Sequence, residues 1–196
     1  ESPDDGTVTV LGDDTNETLP EELAEETVYI HQNPEEMFVE ETVREDIAYY
    51  LENRDDPDVD KRVADVIEFL DLDDIADRDG RLLSIGQQRR ASLAIGLATD
   101  PTIVLLDEPT GSLDLQSRRE VTRMLSRSVT RTETVVVATH DLQLVAEWAD
   151  RVIVLGPDGI LADETPQSVF ERPELLEQAH LRPPQVVELS DRLGID

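Results

Sequence analysis

The chain has 196 residues, 38% of them hydrophobic, which is enough to bury a core and is typical of one globular domain. Its 46 acidic and 17 basic residues give a formal net charge of −29, which disfavours nucleic acid as a partner because that ligand needs a positive surface. The absence of cysteine excludes disulfides, thiol catalysis and cysteine-ligated zinc, and no run of about 20 apolar residues occurs.

The acidic residues are spread along the chain, and Lys61 is the only lysine. This composition resembles that of halophilic proteins, whose solvated acidic surface is adapted to molar salt. A local acidic patch for a basic partner is the alternative. The even spread of the charge favours the first interpretation.

Two short strands and one helix are predicted in the first part of the chain. Residues 7–11 alternate and are β-branched, which indicates a strand ending at Gly12. Glu-rich residues after Pro20 predict a short helix. Residues 27–30 form a second strand, which polar residues and Pro34 bring to an end.

A mostly helical insert follows and is interpreted as a subdomain. Thr42 can cap a helix over residues 43–53, with Glu45 completing a capping box. A second helix is predicted over residues 58–70. Residues 71–82 form an acidic connection with one weak helical turn.

The second half alternates helices and strands. Apolar runs without alternation at residues 102–106 and 134–138 predict strands buried on both faces of a parallel sheet. The remaining elements are helices over residues 84–98, 115–128 and 142–148, a hairpin from 151 to beyond 160, and helices from 165, over 175–179 and from 185 to 193. This order predicts an α/β fold with a parallel sheet.

Four polar residues follow predicted strands, namely Gln32, Asp107, Glu108 and His140. The carboxyl ends of parallel strands meet at one edge of a sheet, where ligands bind. Asp107 could hold a Mg²⁺ shell, and Glu108 could polarise an attacking water. Each residue alone also has a structural explanation, but four at one edge favour a site.

A helix N-terminus lies nearby in sequence at Ser84. The N–H groups and dipole of such an end favour an anion, and Gly86 allows close backbone approach. Ser84 acting only as an N-cap is the alternative.

These residues together resemble the ATP-hydrolysing subunit of ABC transporters. Five motifs in the family's order carry the resemblance: the Q-loop at residues 32–34, the LSGGQ signature at 83–87, Walker B with its glutamate at 102–108, the D-loop at 112–114 and the switch histidine at 139–141. The match covers essentially the whole chain. The Gln-Asn-Pro sequence and the Leu-Arg-Pro-Pro tail most resemble energy-coupling-factor and cobalt-type importers.

The resemblance implies a P-loop NTPase-like parallel sheet core with a helical subdomain insert. It implies one ABC ATPase domain that lacks its N-terminal part, in four segments. These are residues 1–31 with the remaining N-terminal strands, 32–82 with the Q-loop and helical subdomain, 83–163 with the signature, Walker B, D-loop and switch histidine, and 164–196 as a helical tail.

The resemblance also implies ATP and Mg²⁺ as cofactors and assigns roles toward the nucleotide of the same chain. Asp107 would hold Mg²⁺ through water, and Gln32 would sense the metal. Glu108 would be the general base, and His140 would contact the γ-phosphate and the attacking water.

A second set of residues is implied to face ATP on a partner subunit. Ser84, Gly86 and Gln87 would bind its γ-phosphate, and Asp114 would act across the dimer. Ile85 replaces a glycine of the family motif, which would weaken this contact.

The implied function is that of the ATP-binding and ATP-hydrolysing subunit of an ABC importer for a metal ion or vitamin, driven by ATP-dependent dimerisation. The implied partners are a second ABC ATPase subunit, in a homo- or heterodimer, and an integral membrane subunit that docks near residues 32–50. The implied place is the cytoplasmic face of the cell membrane, as a peripheral protein.

One family motif does not occur in the 196 residues, namely the P-loop sequence G-x-x-x-x-G-K-[ST]. We therefore expect a chain truncated at its N-terminus, without a strand, the P-loop and its helix, and inactive as an ATPase by itself. Two alternatives are a non-catalytic partner that supplies only the signature motif in trans, and a soluble ABC protein of DNA repair or translation. The lack of a coiled-coil insert and of a basic linker disfavours the last.

The acidic composition leads to a test of the halophilic interpretation. At about 1 M salt the screening length is about 3 Å, so repulsion between surface carboxylates is largely removed. We expect cooperative thermal unfolding, followed by circular dichroism, to be lost on dialysis to low salt. Unchanged stability at low salt would contradict a salt-adapted surface.

Overall fold

The computed structural model describes residues 3, 5–128 and 132–181. The chain divides into two compact units, Glu1–Ala138 and Thr139–Asp196. In the described part of the chain, no helix has the length and apolar character needed to cross a membrane.

The first unit combines helices with a parallel sheet. Its strands are β1 (Thr9–Val10), β2 (Asp13–Asp14), β3 (Thr27–Ile30), β4 (Ile103–Asp107) and β5 (Thr134–Ala138). Its helices are α1 (Pro20–Glu26), α2 (Val43–Glu52), α3 (Val59–Phe69), α4 (Ile85–Ala98) and α5 (Leu115–Ser128), with 3-10 turns at Pro34–Met37 and Gly80–Leu82. The predicted helices and strands of this region are confirmed to within about two residues, with the exception of the first strand.

The parallel sheet has the order β3-β4-β5, which confirms the predicted α/β fold. Its register places Tyr29 opposite Leu105, and Leu105 opposite Val136. The ends of β3 and β4 coincide, because Ile30 lies opposite Leu106. The residues that follow these two strands therefore start from the same edge.

The prediction that β4 and β5 are buried on both faces is wrong. On one face of β4, Val104 and Leu106 are 1% and 3% exposed. On the other face, Leu105 is 37% exposed and Val136 of β5 is 51% exposed. The apolar runs reflect the preference of β-branched residues for strands, and helix α4 packs on the first face alone.

The strand predicted at residues 7–11 is instead part of a small hairpin. β1 pairs antiparallel with β2 and does not join the parallel sheet. Leu11 and Gly12 turn the chain with φ of 54° and 99°. This left-handed backbone is easy for glycine, so the chain reverses where the strand was expected to end.

Helix α4 is buried along most of its length and forms the centre of the first unit. Ser84 Oγ accepts from the Gln87 N–H at 3.4 Å, and Gln87 Oε1 accepts from the Ser84 N–H at 3.2 Å. This reciprocal pair is a capping box and fixes where the helix begins. A Cβ on Gly96 would lie 2.8 Å from Ile30 Cδ1, so the glycine lets α4 approach β3 closely.

The cap predicted for α2 is present in a modified form. Thr42 Oγ1 accepts from the Glu45 N–H at 3.2 Å, as expected for an N-cap. The Glu45 carboxylate accepts from the Thr42 hydroxyl at 2.8 Å, whereas a capping box would place it on the Thr42 N–H. The Thr42 hydroxyl therefore takes the place of the Thr42 N–H as the donor to the Glu45 carboxylate.

The second unit is a hairpin packed with short helices. Its elements are α6 (Leu142–Trp148), β6 (Val152–Gly156), β7 (Gly159–Glu164), α7 (Pro166–Phe170) and α8 (Pro173–Gln178). Val154, Ala162, Val169 and Leu176 are among the residues of its core. These elements confirm the predicted hairpin and helices, and the helix predicted over residues 185–193 lies outside the described residues.

A buried carboxylate fixes the loop before α2. Asp46 is 0% exposed, and its Oδ1 accepts from the N–H groups of Val39 at 2.7 Å and Glu40 at 2.9 Å. Burial raises the pKa of Asp46. A raised pKa means that the ionised form of Asp46 is less favourable in the fold than in water, so its contribution to the loop comes from the acceptor oxygen and not from a gain in charge interactions.

Two substitutions at Asp46 separate these contributions. Asp46→Ala leaves two N–H groups without an acceptor, and we expect it to lower the free energy of unfolding by about 2 kcal/mol. Asp46→Asn keeps one oxygen that can accept both bonds, and we expect a loss below about 1 kcal/mol. Denaturant unfolding in molar salt measures both values. Equal losses for the two variants would contradict the assigned role of the oxygen.

Candidate functional site

The turn after β4 carries the two acids predicted as functional. Asp107 ends β4 opposite Ala138, and the Glu108 N–H donates to the Ala138 carbonyl at 2.9 Å. Glu108 and Ser112 have φ of 44° and 60°, a left-handed backbone that is uncommon outside glycine. Such residues cost about 1–3 kcal/mol each and cluster at functional sites. The backbone of this turn is therefore held in one strained shape.

Tyr29 reaches Asp107 from the neighbouring strand. Its hydroxyl donates to Asp107 Oδ2 at 3.3 Å. Desolvation, and then the charge and hydrogen bond of Asp107, raise the pKa of Tyr29. The hydroxyl consequently stays protonated at neutral pH and keeps orienting this carboxylate.

The loop that follows β3 carries Gln32, whose side chain is exposed. The carbonyls of His31 and Gln32 accept hydrogen bonds from the Arg89 guanidinium at 2.8 and 2.6 Å. His31 Nδ1 lies 3.2 Å from a carboxylate oxygen of Glu36. The backbone of this loop is thus fixed to helix α4.

These segments enclose a pocket of about 560 Å³ at the carboxyl edge of the sheet. Three of the predicted site residues line it, namely Gln32, Asp107 and Glu108. Ser84, Gly86, Gln87 and Asp114 belong to the same unit but are not among the lining residues. The pocket therefore brings together the residues predicted for the metal and the attacking water, and their roles stay predictions.

The side chains of the pocket fit a hard cation such as Mg²⁺. Asp107, Glu108 and Gln32 all offer oxygen atoms, which are the ligands that Mg²⁺ takes. Within the described ranges, no group of three or more His, Asp or Glu side chains is placed to hold a metal ion. Mg²⁺ is commonly bound through one or two carboxylates together with water and substrate phosphates, and this donor set suits that arrangement.

Gly86 is required by helix packing. It is buried, and a Cβ at this position would lie 2.2 Å from Ser117 Oγ and 2.7 Å from Ser117 Cβ. The missing Cβ of Gly86 therefore allows a close approach of α5. Ile85 beside it is 55% exposed and lines the pocket, while Ser84 caps the helix. The nucleotide contacts of Ser84, Gly86 and Gln87 stay predictions.

Asp114 has a capping role at the start of α5. Its Oδ1 accepts from the Ser117 N–H at 2.8 Å, and this hydrogen bond lowers the pKa of Asp114. The carboxylate consequently stays ionised and is favoured by the helix dipole. Its predicted action across a dimer stays a prediction.

His140 lies in the second unit, in the short connection before α6. Its carbonyl accepts from the Leu142 N–H at 3.1 Å, and Asp141 caps the helix that follows. The contact predicted between His140 and a γ-phosphate stays a prediction.

Two residues of the site were missed by the sequence analysis. Tyr29 could have been found from the alternation of β3, which places it on the face opposite to Ile30. Arg89 could have been found from helical spacing, because the buried residues Ser92, Leu93 and Gly96 place it on the packed face of α4. The identity of its partners, which are backbone carbonyls, has no sequence signal.

Known proteins of similar sequence identify the family. The family described as "ABC transporter" matches residues 1–111. The chain is 35% identical over 97% of its length to the energy-coupling factor transporter ATP-binding protein EcfA of Carboxydothermus hydrogenoformans, and spans 72% of that protein. It is 33% identical over 98% of its length to a putative ABC transporter ATP-binding protein of Streptococcus agalactiae, of which it spans 35%.

Solved structures share the fold. The chain has a TM-score of 0.70 and 26% identity to cbiO1 from Clostridium perfringens, part of the ABC transporter complex cbiONQ, covering 87% of this chain and 69% of that one. It has a TM-score of 0.70 and 25% identity to an ATP-binding cassette solved as a dimer in a post-hydrolysis state with ADP and Pi, covering 85% and 75%. The family match over more than half of the chain, together with these relatives, shows that the chain belongs to the ATPases of the ABC transporter family.

Proposed function

We propose that this chain is part of the ATP-hydrolysing subunit of an ABC importer that takes up a metal ion or a vitamin. The observation that carries the proposal is the pocket that brings Gln32, Asp107 and Glu108 together at the end of the sheet. The relatives named as energy-coupling factor and cbiO proteins support the importer class.

Each of the three residues has a chemical task in this proposal. When bound, Mg²⁺ and ATP supply the γ-phosphate and neutralise the charge that develops on it. Asp107, oriented by Tyr29, would hold the hydration shell of the metal, and Gln32 would complete it. Glu108 would accept a proton from the attacking water, and His140 would contact the γ-phosphate and that water.

The proposal includes a dimer and a membrane partner. Ser84, Gly86, Gln87 and Asp114 would face ATP bound to a second ABC ATPase subunit, and ATP-dependent dimerisation would drive transport. An integral membrane subunit would dock near residues 32–50, where Val39 and Tyr49 are 50% and 41% exposed. In this proposal the chain would lie at the cytoplasmic face of the membrane as a peripheral subunit.

The catalytic part of the proposal is tested on the product of the complete reading frame. The product assayed is one that carries a G-x-x-x-x-G-K-[ST] sequence, since this motif cradles the phosphates. Glu108→Gln in that product is expected to lower kcat for ATP hydrolysis by at least about 100-fold, because it removes the general base, while ATP binding is retained.

Glu68→Gln is the matched control, since it makes the same charge change on an exposed position of α3. Its kcat is expected to match that of the unaltered protein. Hydrolysis unchanged in Glu108→Gln would contradict the catalytic proposal.

A second candidate function is a non-catalytic partner that supplies the signature helix in trans. The start of this helix, which the Ser84 capping box fixes, supports it. On mixing with a complete ABC ATPase subunit, we expect this chain to stimulate ATP hydrolysis. Ser84→Arg is expected to abolish the stimulation through bulk at the helix start, whereas Glu68→Arg is expected to leave it intact. No stimulation on mixing would refute this candidate.

A further inference from the structure

Arg89 is a buried cation in the middle of the first unit. Its side chain is 3% exposed and projects from α4, whose other buried residues are small or apolar apart from Gln88. Charged side chains are almost never fully buried unless their donors find acceptors. The partners of this guanidinium therefore show what its burial achieves.

The partners are two successive backbone carbonyls. Nη1 donates to the His31 oxygen at 2.8 Å and Nη2 donates to the Gln32 oxygen at 2.6 Å. Guanidinium presents its donors in a rigid planar fork, which can hold two acceptors at once. The Nε of Arg89 has no hydrogen-bond partner among the described residues. The two bonds to this loop are therefore the side-chain hydrogen bonds that Arg89 makes there.

We propose that Arg89 is a positioning residue that fixes the Gln32 loop to helix α4, so that Gln32 and Ser84 are carried by one rigid element. The inference rests on the proposed function. In that function, Gln32 acts at the nucleotide bound to this chain, and Ser84 acts at the nucleotide bound to the partner subunit. Through Arg89, a displacement of α4 displaces the loop by the same amount.

The surroundings of Arg89 make its two acceptors important. Burial lowers the pKa of Arg89, and the charge of Asp107 opposes that effect. Arg89 and Asp107, the acid that the proposal assigns to the metal, both line the pocket. If the loop moved alone, a buried guanidinium would lose both of its acceptors, which is unfavourable in a poorly solvated place.

The neighbours of Arg89 on α4 hold other parts of the unit. Gln88 Nε2 donates to the Gly80 carbonyl at 3.2 Å. Arg90 donates to the Asp74 carboxylate at 2.9 Å and to the Asp71 carbonyl at 3.3 Å. Arg90→Met is therefore a matched control, because it removes a cation from the same helix without touching the Gln32 loop.

Hydrogen–deuterium exchange of the 196-residue chain, in about 2 M KCl and without nucleotide, tests the proposal. Arg89→Met is expected to speed exchange about 10-fold in peptides covering residues 33–38, because two bonds from a charged donor are lost. Arg89→Lys keeps the charge and can reach one carbonyl, so an increase of about 3-fold is expected. Arg90→Met is expected to leave these peptides unchanged.

Gly96→Ala separates positioning from general loosening of α4. Its Cβ would press on Ile30 and weaken the contact between α4 and β3, while the Arg89 side chain itself is unaltered. It is expected to lower Tm and to speed exchange across β3 and α4. Peptides covering residues 33–38 are expected to show no additional increase in exchange. If Arg89→Met does not fold, the comparison of Arg89→Lys with Gly96→Ala and Arg90→Met decides the question.

The proposal is overturned if exchange over residues 33–38 is unchanged in both Arg89 variants. It is also overturned if Gly96→Ala at an equal loss of Tm gives the same local increase, or if lysine is no better than methionine. These measurements need no nucleotide, so the role of Arg89 can be contradicted while ATP hydrolysis still depends on Glu108. Equally, the role of Arg89 can be supported while the proposed ATP hydrolysis is contradicted.

Discussion

Close packing around helix α4 is the constraint on which the first unit depends. Gly96 admits the side chain of Ile30 on one side, and Gly86 admits Ser117 on the other. With no Cβ at these two points, the helix reaches van der Waals contact with a strand and with a second helix at once, and interiors tolerate little change of volume. Between the two glycines, Gln88, Arg89 and Arg90 donate hydrogen bonds to segments outside the helix. The positions of these segments therefore depend on the position of one buried helix.

The pocket combines this rigid support with an excess of negative charge. Asp107, Glu108, Glu35 and Glu36 all line it in a chain whose net charge is −29, while Arg89 is committed to backbone carbonyls. Bare phosphate would be repelled by such a wall. A phosphate that arrives with a divalent cation would meet complementary charge, which agrees with the metal–nucleotide ligand proposed for the pocket.

Local signals in the sequence account for most elements, and contacts distant in sequence account for what was missed. Capping residues such as Ser84 and the β-branched runs of β4 and β5 predict the bounds of helices and strands, because these depend on neighbours in the chain. The open face of the sheet was not predicted, since a run such as residues 134–138 is equally apolar whether one or both faces are packed. Likewise, the motif identifies Asp107, but its bond to Tyr29 depends on strand register, which only the assembled sheet defines.

The contact between Gly86 and Ser117 has a consequence for how this segment can vary among relatives. Ile85 is 55% exposed, so its side chain extends away from the packed interior and many residues can be accommodated there. At position 86 any side chain meets α5, unless position 117 becomes smaller at the same time. The departure at Ile85 from the two glycines of the family motif is thus permitted by the fold. Among relatives, a larger residue at position 86 should therefore occur together with a smaller residue at position 117.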